Sequence, residues 1–90
     1  MTEFTAKIVF QNSKSLPHMV QVEPWGADFT LLPKERLEVV AYGSTVAPRF
    51  ELIEHADATQ VYCNEAHTFE VFQEGRLLLC GHNRQPSHEA

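Results

Sequence analysis

The 90-residue sequence has no cluster of basic residues. Its seven cations (Lys7, Lys14, Lys34, Arg36, Arg49, Arg76 and Arg84) are scattered among twelve acidic residues, for a formal net charge of −5. A surface that neutralises a phosphate backbone needs grouped cations, so neither nucleic acid nor an anionic membrane surface is an expected partner. No apolar run approaches the roughly 20 residues with which a helix spans a bilayer. The start, Met1-Thr-Glu-Phe-Thr-Ala-Lys7, shows no basic segment followed by an apolar one; no secretory leader is expected, and the cytoplasm is the default compartment. Cysteine is scarce. Cys63 and Cys80 read as free thiols in a reducing compartment, where Cys behaves as a small hydrophobe.

Catalytic motifs are also missing. There is no Gly-x-Ser-x-Gly elbow, no Cys-x-x-Cys and no His-Glu-x-x-His, and the glycines Gly26, Gly43, Gly75 and Gly81 stand alone rather than forming a phosphate cradle. The acid pairs Glu35/Glu38 and Glu51/Glu54 read as solvated charge. No enzyme and no cofactor are expected.

The helical period is nearly absent, His55-Ala-Asp-Ala58 being its only hint. Alternation of period two dominates instead. Phe4, Ala6, Ile8 and Phe10 share one parity, as do Val20 and Val22, Phe29 and Leu31, Leu37, Val39 and Ala41, Phe50 and Leu52, Val61 and Cys63, and Phe69 and Val71. Turn chemistry falls between these segments: Asn12-Ser-Lys-Ser15, Pro24-Trp-Gly26, Pro33-Lys-Glu35, Gly43 to Pro48, Asn64-Glu-Ala66 read as a hairpin turn, and Gln73-Glu-Gly-Arg76 with the Gly a tight hairpin needs.

Seven or eight short strands at intervals of roughly eight to twelve residues predict an all-β fold, a small antiparallel β-sandwich of immunoglobulin-like or cupredoxin-like architecture. Residues 1–82 form one domain in this reading, with 83–90 as a flexible C-terminal tail. Val9, Val40, Ile53, Phe72 and Leu78 fall off-phase, and predict scattered exposure or a second apolar surface for self-association.

Two alternatives stand beside an interaction module. Cys80 and His82, at i and i+2, share a strand face, and folding can add His18, His55 and His67 toward the four ligands of a zinc site. No ligand spacing supports this, and solvated histidines are the plainer reading. A blue-copper set also fails, since Met1 and Met19 both precede the cysteines. Trp25, with Tyr42 and Tyr62, would suit an aromatic platform for a sugar ring or a peptide; otherwise Trp25 plugs one end of the sandwich.

Glu23-Pro-Trp-Gly26, Phe29-Thr-Leu-Leu-Pro33 and Leu37-Glu-Val-Val-Ala41 together resemble a pattern in small bacterial all-β proteins of unknown function, although Lys34 stands where their turn often has Gly. The resemblance implies a β-sandwich and no activity. The function expected is a non-catalytic interaction or structural module that binds an unknown protein partner or a second copy of itself, using strand edges or off-phase apolar residues.

Overall fold

The computed structural model describes residues 3–78. These residues form eight strands, β1 (Phe4–Gln11), β2 (His18–Glu23), β3 (Ala27–Leu31), β4 (Arg36–Gly43), β5 (Arg49–Glu54), β6 (Ala58–Asn64), β7 (Thr68–Gln73) and β8 (Arg76–Leu78). Burial alternates most clearly along β2, β4 and β6, while β5 is exposed along nearly its whole length. They form two four-stranded sheets, sheet A in the order β1-β4-β7-β8 and sheet B in the order β3-β2-β6-β5. The all-β two-sheet architecture is as expected; the strand order itself carries neither the immunoglobulin-like nor the cupredoxin-like label. All pairs are antiparallel except β2 with β6, which is parallel.

The core lies between the sheets. Val20, Val22, Phe29 and Val61 of sheet B meet Leu37, Val39, Ala41 and Val71 of sheet A, all essentially inaccessible to solvent. Fully burying one such Val, Leu or Phe side chain contributes about 1.5–3 kcal/mol, so this layer is the main source of stability.

Three expectations are corrected. Asn64-Glu-Ala66 is not a hairpin turn: β6 lies in sheet B and β7 in sheet A, so the chain crosses between layers there, with Glu65 at φ 69°. His55 to Ala58 forms no helix; it is the β5–β6 reversal, closed by the His55 amide on the Ala58 carbonyl at 2.7 Å. Leu78 is in phase, opposite Val71 and packed on the core, while Leu77 turns outward at 52% exposure.

Other turns form as their residues predict. Gln73 pairs with Arg76 across Glu74 (φ 51°) and Gly75 (φ 78°), the left-handed pair of a tight hairpin. Leu32-Pro33-Lys34-Glu35 is a turn closed by the Glu35 amide on the Leu32 carbonyl at 3.0 Å, with Lys34 at φ 72° where glycine is usual. The Glu23–Pro24 peptide is cis.

Candidate functional site

The register of sheet A aligns outward-facing residues into rows. One row runs Val9, Glu38, Phe72, Leu77 across all four strands, with Val9 43% exposed. The next runs Lys7, Val40, Glu70. Three of the off-phase residues, Val9, Val40 and Phe72, therefore share one outer face, and Leu77 extends it. Beside the first row a shallow depression of about 260 Å³ is lined by Val9, Arg36, Glu38, Phe72 and the Glu74–Gly75 turn.

Sheet B has a different outer face. Its rows include Thr30, Met19, Ala58, then Ile53, Gln60, Gln21, Asp28 and then Glu51, Tyr62, Glu23, mostly polar apart from Met19, Ala58, Ile53 and the Tyr62 ring. The exposed face of a sheet packed on one side only is ordinarily mostly polar, as it is here. The apolar row of sheet A departs from that pattern.

The strand carboxylates of the sheet A face, Glu38 and Glu70, are partnered. Lys7 Nζ lies 3.2 Å from Glu38 Oε2. The Tyr42 hydroxyl donates to Glu70 Oε1 at 2.6 Å, and this bond, followed by desolvation, raises the phenol's pKa. On the strands of this face Lys7 and Arg36 offset Glu38 and Glu70, and Glu74 of the adjoining β7–β8 turn adds one negative charge.

The residues proposed from sequence for metal binding are dispersed. His18 Nε2 is bonded to Thr59 Oγ1 at 2.8 Å, His55 Nε2 donates to Gln60 Oε1 at 2.9 Å, and His67 Nε2 lies 3.0 Å from Glu3 Oε2. Among the described residues no three His, Cys, Asp or Glu side chains gather as a ligand set. Cys80 and His82 lie outside the described residues. Cys63 is a buried free thiol, its pKa pushed up to about 11 by desolvation.

The three aromatic residues do not form a platform. Tyr42 lies on the outer face of sheet A and Tyr62 on that of sheet B, while Trp25 sits in the β2–β3 loop. Trp25 is 38% exposed and its ring stacks on Phe69 of sheet A, centroids 4.6 Å apart. It is a half-open cover on the end of the sandwich, neither a sealed plug nor a free ledge.

Two polar clusters were not singled out from sequence. Asn12, 3% exposed, donates through Nδ2 to the Leu16 and Leu31 carbonyls at 2.8 and 2.9 Å and accepts the Lys14 amide on Oδ1 at 2.9 Å. Its backbone bonds Glu35 and Lys34, joining the β1–β2 connection to the β3–β4 turn. The second cluster is Glu54–Thr59–His18, in which buried Thr59 donates to Glu54 Oε1 at 2.7 Å.

No protein-family model, curated protein or solved structure matches this chain. No helix of the described residues is long and apolar enough to cross a membrane.

Proposed function

We propose that the protein is a non-catalytic interaction module that associates with a second copy of itself through the outer face of sheet A. The observation that carries this reading is the Val9–Glu38–Phe72–Leu77 row, apolar at three of its four positions on a solvent-facing sheet. Apolar residues scattered singly on a surface need no explanation, whereas adjacent Phe72 and Leu77 in one row with Val9, interrupted only by the charge-paired Glu38, favour burial against a partner.

The near-balance of charge along the strands favours an identical face as that partner. The carboxylates of Glu38 and Glu70 keep their on-face partners when water leaves, so two copies meet without confronting unpaired like charges. A face of the opposite character, strongly charged, would find nothing to pair with.

Sedimentation equilibrium tests the reading. The expected result is a concentration-dependent dimer that Phe72→Lys or Leu77→Asp dissociates while far-ultraviolet circular dichroism stays unchanged. A strict monomer at high concentration, or a dimer indifferent to both substitutions, would overturn it.

A further inference from the structure

The Glu54–Thr59–His18 chain has a proton inventory that fixes the state of the histidine. Thr59 has one hydroxyl proton and gives it to Glu54, whose carboxylate only accepts. The 2.8 Å contact with His18 must then be Nε2–H donating to Thr59 Oγ1. Neutral His18 is thereby held as the Nε2–H tautomer, leaving the lone pair on Nδ1.

That second nitrogen is buried and has no hydrogen-bond partner. A buried lone pair is tolerated; a buried N–H of an imidazolium lacking an acceptor is much less so. The charged groups around the ring are Lys14 from the β1–β2 connection, Glu54 from β5 and Asp57 from the β5–β6 reversal, while β3 presents uncharged Leu31 and β6 presents Thr59. Burial first and Lys14 second outweigh the two carboxylates and hold His18 below its ordinary pKa of 6.5.

We propose that Glu54–Thr59–His18 is a proton-operated latch, fastening β5 and the start of β2 to β6 while His18 is neutral and releasing them when Nδ1 takes a proton from solvent. Room for release is built in. A cavity of about 180 Å³ adjoins the ring, lined by Phe10, Ser13, Lys14, His18, Glu54 and Thr59 among others. Turning into it, the imidazolium gives up Thr59 and approaches the Glu54 carboxylate, which in turn gives up the Thr59 hydroxyl. The two side-chain hydrogen bonds that reinforce the backbone ladders of β2, β6 and β5 at this end are then lost together. The latch is independent of the outer face of sheet A and holds whether or not that face self-associates.

Ring-nitrogen NMR of the full chain tests this, with amide exchange followed from pH 8 to pH 5. At neutral pH His18 is expected as the Nε2–H tautomer, titrating with a midpoint below 6.5. Exchange at residues 52–60, corrected for its intrinsic pH dependence, should then rise by up to about tenfold per pH unit across that titration. In His18→Gln, whose side-chain amide can donate to Thr59 but does not titrate, the rise should vanish. An Nδ1–H tautomer at neutral pH would overturn the proposal in the unmodified protein alone, as would exchange that ignores the titration. An unchanged rise in the Gln variant would overturn it as well.

Discussion

Trp25 stacks on Phe69 across the gap between the two sheets, ring centroids 4.6 Å apart and planes 33° from parallel. The contact joins the β2–β3 loop of sheet B to β7 of sheet A, so it holds layers together at a point where no backbone hydrogen bond can.

Trp25→Ala should therefore destabilise the fold although the residue is more than one-third exposed. An aromatic pair contributes about 0.5–1.5 kcal/mol beyond its buried area. With part of the ring's burial also lost, a cost of about 1–3 kcal/mol is expected in urea unfolding. Indole emission in the unmodified protein should be only partly protected from acrylamide; full protection would contradict the half-open geometry.

Asn12 should tolerate neither Ala nor Asp. Ala leaves the buried Leu31 carbonyl without its partner, at about 1–3 kcal/mol, and also removes the less buried bond from the Lys14 amide. Asp replaces the donating amide with an acceptor facing the Leu16 and Leu31 carbonyls, so it should be no better than Ala. Thermal melts of the two variants check this, because an ordinary surface turn residue would accept Asp readily.

Cys63 predicts a loss of stability in alkali. Its folded pKa of about 11 lies above the ordinary 9.0, so the unfolded chain gives up the thiol proton first as pH rises. The stabilisation is complete below pH 9 and declines between pH 9 and 11. Cys63→Ala should remove that component of the pH profile measured by denaturant titration. At neutral pH the peptide bearing Cys63 should stay unalkylated until the protein unfolds.

The strands were legible because burial imposes period two directly on the residues. Which sheet each strand joins was not. Asn64-Glu65-Ala66 and Gln73-Glu74-Gly75 are both short turns with a left-handed residue, yet one crosses between layers and the other closes a hairpin. Local turn chemistry reverses the chain without deciding what the next strand pairs with. The off-phase residues showed a defect in the alternation, but only the register shows that Val9 and Phe72 flank the same glutamate while Ile53 faces the other way. Asn12 read as turn punctuation because its burial comes from the β3–β4 turn, distant in sequence. The His18–Thr59–Glu54 chain likewise joins segments that lie side by side only once β2 pairs in parallel with β6.

That parallel pair divides the molecule in an unusual way. The segment before residue 44 supplies β1 with β4 and β2 with β3; the segment after residue 48 supplies β5 with β6 and β7 with β8. Each sheet is thus half from one piece and half from the other, closed by one seam, β4 with β7 in sheet A and β2 with β6 in sheet B. A single cut between residues 44 and 48 leaves every other strand pairing intact within a fragment. The first fragment keeps eight of the eleven buried core residues and the second only Val61, Cys63 and Val71, so neither holds a complete apolar layer. Two peptides divided there should be unfolded apart and should rebuild the sandwich when mixed; recovery by one peptide alone, or by neither mixture nor peptide, would show that the seams do not govern assembly.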